Sequence, residues 1–452
     1  MECGWLSVPL DHEQPGGEHI RIAVSRVPAS GPPAERRGVL LVNPGGPGGP
    51  GLAYAVTKRA KLPASVRRSY DLIGFDPRGT GLSAPADCGS MGDLFESPGP
   101  EPVPSGRAAE RAYLDSLKRM ADDCAAGAAG ALTYLSTART ARDMDAIRSA
   151  LGERRIGFLG VSYGSYLGAA YAALFPRHVG RMVLDSVVGP ESWYDFDLRQ
   201  SRALLRQRQV FFAWTARYAQ RFGLGTTAGQ VRSAYTRARR GLAAHPEAGF
   251  GPAEFDRAVY RALGRTERWE GLAAGIRAYL HGADTELLRP AEPFDGSASR
   301  TYESANRVVK CADGPGPAPE RVVADLRRLR GLDPLPVVTG MAASVCAYWH
   351  RIPAGGTRLG SPDAPPALLI ASEHDPVTPI EGARRLRGRL PGSRLVTLHD
   401  DYSHGVFASR GNACVDDATA AFLVDGTLPV TDVDCDGPGL PTPQGPTPTR
   451  TE

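Results

Sequence analysis

A serine between two glycines is the first feature of this 452-residue chain that could do chemistry. The run Gly160-Val161-Ser162-Tyr163-Gly164 matches the pattern G-x-S-x-G. The string alone is not decisive, but it follows an apolar stretch that predicts a strand and precedes a helix lined by small residues. A tight turn between such elements lifts a serine hydroxyl above a sheet. We therefore predict that Ser162 is a catalytic nucleophile.

A serine nucleophile needs a base and an acid that orients the base, and for this strand arrangement they follow in the order Ser, acid, His. His404 lies in a short loop after the last predicted strand of this region, and Asp375 comes directly after a strand predicted over 367–372. Loops at the carboxyl ends of strands hold the sites of open α/β sheets. We expect Asp375 to orient the His404 imidazole, with Glu373 as the rival acid.

Acyl transfer also needs two backbone N–H groups that face the oxyanion. Tyr163, the residue after the nucleophile, supplies one. The glycine-rich segment NPGGPGG, residues 43–49, follows a predicted strand, and Gly46 is the expected second donor. The segment lacks the spacing of a nucleotide-binding loop. Cysteines and histidines do not lie at zinc-ligand spacing, so we expect neither a metal ion nor another cofactor.

The elements that must position these groups alternate between strand and helix from residue 18 to about 190. Besides the strand before Ser162, strands are predicted over 20–27, 38–43, 70–76 and 182–188, and a helix over 137–151. The alternation resumes with strands over 367–372 and 394–398 and helices over 380–390 and 414–424. This order predicts a mostly parallel sheet covered by helices on both faces.

A mostly helical pattern interrupts this alternation after Gly189. We therefore predict a core in two parts, a helical cap inserted between them, and a disordered tail rich in proline and threonine. The predicted segments are 1–189 and 356–435 for the core, 190–355 for the cap, and 436–452 for the tail.

Composition excludes several classes of protein. Hydrophobic residues make up 42% and charged residues 23% of the chain, as in ordinary globular proteins. No apolar run reaches the roughly 18 residues of a membrane span. The net charge is +4, and the arginines of residues 199–240 are spaced as on the solvated face of helices. We expect a monomer that binds a peptide or small-molecule substrate and neither nucleic acid nor membrane.

The seven cysteines bear on the compartment. In sequence they fall as one early cysteine and three local pairs: Cys3, then Cys88 and Cys124, Cys311 and Cys346, and Cys414 and Cys435. Disulfides would indicate an oxidising compartment, whereas reduced, buried cysteines would fit a cytoplasmic enzyme. The first residues show no charged segment followed by an apolar one, so no signal peptide is visible. We expect a secreted protein whose targeting segment is missing from this sequence, with a cytoplasmic protein as the alternative.

Taken together, these motifs resemble the α/β-hydrolase superfamily and, more narrowly, the secreted tripeptidyl aminopeptidases of actinomycetes, relatives of the prolyl aminopeptidases. Similar segments include SVPLDHEQPGG, LLVNPGGPGGPG, DLIGFDPRGTGLSAP, GVSYGSYLGAAYAALFPRHVGRMVLDSVV, and the surroundings of KCADGP and CAYWH. The resemblance implies an α/β-hydrolase fold with the helical insertion as a cap over the site. It also implies that Ser162, Asp375 and His404 form a triad that removes short peptides from a free N-terminus.

The resemblance further implies disulfides Cys311–Cys346 and Cys414–Cys435. It places the start of this chain, ECGWLSVPLD, where relatives carry preceding sequence with a further cysteine. Cys3 is then expected to be half of a bridge whose partner lies in that preceding segment.

One departure from the family concerns the substrate ammonium. Gly189 stands where relatives often carry an acidic residue, and an aminopeptidase must pair the ammonium with a carboxylate. Glu191, Asp195, Asp197 and Glu373 are substitutes that the sequence does not rank. The first hypothesis is therefore an aminopeptidase, and the alternative is an esterase, amidase or acyltransferase that acts on a small molecule. A third hypothesis is a binding protein with a relic triad.

Overall fold

A nine-stranded sheet forms the centre of the part of the chain that the computed structural model describes. That part comprises residues 1–89, 91, 94, 96–99, 104–127, 131–290, 296–332, 342–349 and 356–444. The strands are β1 (Glu2–Pro9), β2 (His19–Val27), β3 (Gly38–Asn43), β4 (Tyr70–Phe75), β5 (Ile156–Val161), β6 (Val179–Asp185), β7 (Leu368–Ser372), β8 (Arg394–His399) and β9 (Val433–Asp436).

The sheet is mostly parallel, as predicted. Its strand order is β1-β2-β4-β3-β5-β6-β7-β8-β9. The pairs β1–β2 and β2–β4 are antiparallel, and the other neighbours are parallel. Every residue of β3, β4 and β5 is buried, which explains why these segments are almost uninterrupted apolar runs. The carboxyl ends of these parallel strands lie at one edge, where the candidate residues are found.

Helices cover both faces of the sheet. Those encoded outside the predicted cap are α1 (Tyr54–Arg59), α2 (Ala64–Ser69), α3 (Gly106–Gly127), α4 (Thr137–Ala150), α5 (Tyr163–Leu174), α13 (Ile380–Arg387) and α14 (Ala413–Asp425). Successive β3 side chains point to opposite faces: Leu41 packs in one apolar cluster with Leu167 of α5, and Leu40 in another with Phe422 of α14. The predicted fold class, an α/β-hydrolase fold with both faces covered, is confirmed.

The region predicted as a cap is helical. It contains α6 (Trp193–Arg217), α7 (Ala219–Phe222), α8 (Ala228–Ala244), α9 (Pro252–Leu263), α10 (Trp269–Gly282), α11 (Ser297–Ala312) and α12 (Pro319–Leu332). Helices α6 to α10 share an apolar cluster of their own, in which Phe211 and Trp214 pack against Trp269. None of the described helices has the length and hydropathy of a membrane span.

The structure differs from the sequence-based expectations at three places. The strand predicted over 182–188 is β6, which ends at Asp185 because Ser186 has a φ of 51°. Strands β1 and β9 at the two sheet edges were not predicted. Part of the predicted disordered tail is ordered: residue 436 belongs to β9, and the Trp214 indole donates to the Pro441 carbonyl at 2.6 Å. Residues 445–452 lie outside the described residues.

Candidate active site

Ser162 lies in the turn between β5 and α5. Its φ of 59° and ψ of −125° are strained for a residue with a side chain. The flanking glycines are required by space, since a Cβ on Gly160 would lie 2.2 Å from the Gly164 carbonyl oxygen. A Cβ on Gly164 would lie 2.8 Å from the carbonyl oxygen of Asn43. The predicted strand-turn-helix is present, and it holds Ser162 at the carboxyl edge of the sheet.

The acid and the imidazole predicted to assist Ser162 are hydrogen-bonded to each other. His404 Nδ1 lies 2.7 Å from Asp375 Oδ2. Asp375 is buried, and its carboxylate accepts the Val377 and Thr378 N–H groups at 2.7 and 3.0 Å and the Thr378 hydroxyl at 2.8 Å. These donors fix the carboxylate, and the arrangement leaves His404 Nε2 available as a base. Within the described residues no hydrogen bond joins the Ser162 hydroxyl to His404, a contact that in free enzymes is often long.

Asp185, at the end of β6, connects the nucleophile turn to the histidine loop. Its carbonyl oxygen accepts the Ser162 N–H at 2.9 Å. Its carboxylate accepts the Val406 N–H at 3.1 Å and the Phe407 N–H at 3.0 Å. Burial raises the pKa of Asp185, and the charge of nearby Lys58 opposes that shift. The sequence predicts Asp185 only as part of a strand, because nothing in its local pattern indicates a bond to residues 406 and 407.

The glycine-rich loop after β3 lies directly against the nucleophile turn. A Cβ on Gly45 would lie 2.5 Å from the Val161 carbonyl oxygen and 2.9 Å from Ser162 Cβ. Gly45 and Gly46 have φ angles of 98° and 121°, which favour glycine. The N–H groups of Gly46 and Tyr163 make no hydrogen bond with another described residue. Both are therefore free to donate to an oxyanion beside Ser162.

A cavity of about 1120 Å³ adjoins this loop. Gly48 and Pro50 of the loop line one side, and α3, α9 and α11 contribute the other walls. Tyr302 of α11 connects the cavity to the glycine-rich loop between β3 and α1, residues 44–53, which we call the oxyanion loop after its predicted role. Its Cε2 lies 3.3 Å from the position of a Cβ on Gly46. The cavity is larger than the usual range for drug-sized ligands and can hold a short peptide.

Helix α9 connects the same cavity to the histidine. Tyr260 and Arg261 line the wall near the end of this helix. The Tyr260 carbonyl accepts the Gly264 N–H at 3.3 Å, and the Gly264 carbonyl accepts the His404 N–H at 3.0 Å. The cavity therefore lies between the oxyanion loop and the helix end that holds His404.

Two of the candidate ammonium-binding carboxylates are already paired with arginines. Glu191 accepts two hydrogen bonds from Arg385, the shorter at 2.7 Å. Asp195 forms an ion pair with Arg321. Neither acid lines the cavity of about 1120 Å³, although Glu191 lines a separate cavity of about 170 Å³.

Glu373 is also engaged, away from the large cavity. It accepts hydrogen bonds from His399 Nδ1 and the Asp400 N–H, both at 3.1 Å, and it does not contact His404 as the rival acid would. Glu373, His374 and Asp400 place ligand-type atoms within 4.8 Å of one another and are the one such group found among the described residues. They lie at the surface, and the prediction that the protein needs no metal stays a prediction.

The large cavity contains an acid, Glu303, that the sequence does not indicate as a candidate. Among its described lining residues the acids are Asp76 and Glu303. Asp76 accepts three backbone N–H groups, whereas Glu303 is paired with Arg307 through Oε2. Asp197, a further candidate, is buried against Lys310 at 2.8 Å. A Glu-Arg pair at i, i+4 is ordinary helix patterning, so the sequence offered no signal for Glu303.

Three disulfides are present, and they are the predicted local pairs. Cys3 is exposed and makes no disulfide with a described residue. The bonded pairs are Cys88–Cys124, Cys311–Cys346 and Cys414–Cys435. The interpretation as reduced, buried cysteines is therefore wrong for these six, and the disulfides fit an oxidising compartment.

The fold and this arrangement of residues define a serine hydrolase of the α/β-hydrolase class. The chain belongs to the alpha/beta hydrolase fold family, whose sequence profile matches residues 38–408. It is 36% identical to the tripeptidyl aminopeptidase of Streptomyces lividans, over 98% of this chain and 85% of the relative. This similarity confirms the resemblance to the actinomycete tripeptidyl aminopeptidases.

Other relatives have different names. The chain is 30% identical to the serine protease Hip1 of Mycobacterium tuberculosis, over 96% of this chain and 87% of the relative. It is 34% identical to carboxylesterase B of the same organism, over 96% of this chain and 86% of the relative. Among solved structures, a proline iminopeptidase of Mycobacterium smegmatis aligns with a TM-score of 0.41 at 17% identity, covering 93% of this chain and 98% of that one.

Proposed function

We propose that Ser162, His404 and Asp375 are the catalytic triad of an aminopeptidase that releases short, tripeptide-like units from peptide N-termini. One observation carries the proposal. The strained Ser162 and the fixed Asp375–His404 pair meet at the same edge of the sheet, where Asp185 ties the serine turn to the histidine loop.

The mechanism follows from the placement of these groups. His404 Nε2 accepts the Ser162 proton while Oγ attacks the substrate carbonyl carbon. The Gly46 and Tyr163 N–H groups stabilise the oxyanion that forms. His404 then donates the proton to the leaving amine, and water activated by the same imidazole releases the acyl group.

The large cavity is the proposed site for the released peptide unit. Glu303 is the proposed partner of the substrate ammonium, in place of Glu191, Asp195 and Glu373, because it lines the cavity and its Oε1 has no hydrogen-bond partner among the described residues. An ammonium at Oε1 leaves the Arg307 pair at Oε2 intact. The tripeptidyl aminopeptidase relative supports this substrate class.

A Ser162→Ala variant tests the triad, and blocked substrates test the exopeptidase assignment. Cleavage of tripeptide anilides by the variant should fall by a factor on the order of 10⁴ or more, and a fluorophosphonate should label only the wild-type protein.

N-acetylation of the anilides should raise KM in the wild type. Glu303→Gln should raise KM for the free-amine anilides and leave the acetylated ones unchanged.

Two results would contradict this proposal. Full activity of the Ser162→Ala variant would refute the assignment of Ser162 as nucleophile, and equal cleavage of free and acetylated anilides would refute the aminopeptidase activity.

Ester hydrolysis is the second candidate function, supported by the carboxylesterase relative. It would replace the first if simple acyl esters are cleaved by Ser162 while tripeptide anilides are not.

We further propose that the protein is an extracellular monomer made of a catalytic core and a cap. The three disulfides support an extracellular protein, and we propose that it acts as a monomer without a nucleic-acid or membrane partner. Residues 1–189 and 356–435 form the proposed catalytic core and 190–355 the proposed cap. The separate aromatic cluster of helices α6 to α10 supports the division between core and cap.

A further inference from the structure

We propose that Arg261 forms a subsite that binds a carboxylate of the peptide substrate. This inference rests on the proposed function and adds a charge preference to it. The carboxylate has two possible sources, an acidic side chain of the peptide or the C-terminus of a short substrate.

The position of Arg261 makes it available to a substrate. It lines the large cavity from α9 and is only partly buried. It follows Tyr260, whose carbonyl holds the Gly264 N–H, and Gly264 in turn accepts the His404 N–H. Arg261 is therefore on the helix whose end holds the backbone of the proposed catalytic base.

The other charged residues that line this cavity have partners. Arg257, one turn earlier on α9, donates to Glu254 at 2.5 Å, and Arg307 pairs with Glu303. Asp76 is held by three backbone N–H groups. Arg261, in contrast, makes no ion pair or side-chain hydrogen bond with any residue in the described part of the chain.

The surroundings of Arg261 carry an excess of positive charge. Arg265 and Arg268 follow it four and seven residues later, after the end of α9. Burial lowers the pKa of Arg257, and the charge of Arg261 lowers it further. Burial and the neighbouring arginines, Arg265 before Arg261, also lower the pKa of Arg268. The nearby Glu267 pairs with Arg410 at 3.3 Å and with Arg265 at 3.6 Å, and it makes no ion pair with Arg261.

A carboxylate is the ligand that this arrangement fits. A guanidinium binds a carboxylate through two parallel N–H···O bonds, and the pair is stronger where the cavity excludes water. Two tyrosines that line the same cavity, Tyr260 of α9 and Tyr302 of α11, offer apolar surface for the rest of a peptide. The subsite would therefore favour an acidic group over its neutral isostere.

Matched substrate pairs test the proposal and separate the two sources. The first set comprises tripeptide anilides with Glu or Gln at each of the three positions, and the second comprises short peptides with a free or an amidated C-terminus. In the wild type, the substrate with the carboxylate should have about a tenfold higher kcat/KM than its neutral counterpart in one of these pairs. The pair that shows the difference identifies the source of the carboxylate. Arg261→Gln should remove that preference, chiefly through KM, and Arg261→Lys should restore part of it.

The control is Arg232→Gln, which makes the same change in net charge at an exposed position of α8 outside the cavity lining. It should keep the preference of the wild type. The proposal is overturned if no pair differs in the wild type, or if Arg261→Gln keeps the same ratio. Cleavage of all peptides without a charge preference refutes this subsite alone, whereas failure to cleave any peptide refutes the proposed function as well.

Discussion

Ser162 and Gly45 meet where β5 turns into α5, and both have a positive φ. For Ser162 the strained backbone places the hydroxyl above the sheet. For Gly45 the constraint is space, since a Cβ would lie 2.5 Å from the Val161 carbonyl oxygen and 2.9 Å from Ser162 Cβ. The Val161 carbonyl and Ser162 Cβ cannot move away, because both belong to the nucleophile turn itself. Gly45 is therefore required by the geometry of the site.

A Gly45→Ala variant should lose activity and stability together. The added methyl group collides with the turn and occupies a conformation unfavourable for alanine, which should cost at least about 2 kcal/mol of unfolding free energy. Turnover should fall more than tenfold, because the loop must move away from the oxyanion. Urea unfolding and anilide kinetics measure the two effects.

Gly411→Ala is the matched control for Gly45→Ala. Gly411 also has a positive φ, 64°, but an added Cβ there meets no atom within 4 Å. This variant should lose about 1 kcal/mol from backbone strain alone and keep its turnover. Equal effects of the two substitutions would show that the contact with the nucleophile turn does not matter.

The loops after β7 and β8 position the Asp375–His404 pair as a unit. The backbone holds them together, because the Glu373 N–H donates to the Leu398 carbonyl at 2.9 Å and the His374 N–H to the Asp401 carbonyl at 3.0 Å. The side chains add a surface network: His399 bonds Asp434 at 2.8 Å and Glu373 at 3.1 Å. The sequence predicts that both loops follow strands, but it does not show that backbone hydrogen bonds join the loop after β7 to the loop after β8.

The network around His399 should give a pH-dependent stabilisation. Hydrogen bonds with Asp434 and Glu373 raise the pKa of His399 above its usual 6.5. The Asp400 N–H and His399 lower the pKa of Glu373 below its usual 4.5. The histidine contribution is complete below pH 6.5 and is lost as pH rises through its raised pKa. The glutamate contribution is present above pH 4.5 and is lost as pH falls through its lowered pKa.

A His399→Gln variant should therefore lower Tm most between about pH 4.5 and 6.5, the window set by those two groups. The difference from the wild type should shrink above that window. Thermal unfolding followed across pH 4 to 9 measures it. His281→Gln, at an exposed position of α10, should show no such window, and a constant Tm difference for His399→Gln would refute the charge-based account.

At the scale of the whole molecule, α11 connects the predicted cap to the core. Its Tyr302 contacts the oxyanion loop, and Asp313 at its end accepts hydrogen bonds from the Thr137 N–H at 2.8 Å and the Trp193 indole at 3.0 Å. Burial raises the pKa of Asp313 to about 6. The disulfide from Cys311 to Cys346 fixes the same helix end to residues 342–348.

Removal of this disulfide should loosen the attachment of α11 to residues 342–348 in the proposed cap. The bridge spans 35 residues, and its loss in a Cys311→Ala/Cys346→Ala variant should cost about 2–4 kcal/mol of unfolding free energy. Anilide cleavage should also fall, because α11 supports the loop that carries Gly46. Cys3→Ser, which changes an exposed free cysteine, should leave Tm and activity as in the wild type. An unchanged Tm in the double variant would contradict this view of α11.

The sequence by itself was enough to predict those features of this protein that depend on short-range patterns. Ser162, the strand before it and the helix after it follow from short-range patterns of apolar, small and glycine residues. The order of Asp375 and His404 along the chain, each directly after a strand, was enough to predict that they meet, because parallel strands end at one edge. The three cysteine pairs are likewise close in sequence and were predicted as pairs.

Only the tertiary structure decided which charged groups are available to a substrate. Glu191 is taken by Arg385, 194 residues away, while Glu303 and Arg261 come to one cavity from different helices. Asp185 reaches residues more than 200 positions later. The physical reason is that a polar group's role depends on its partners and its burial, and long-range packing sets both, whereas sequence periodicity reports only on local structure.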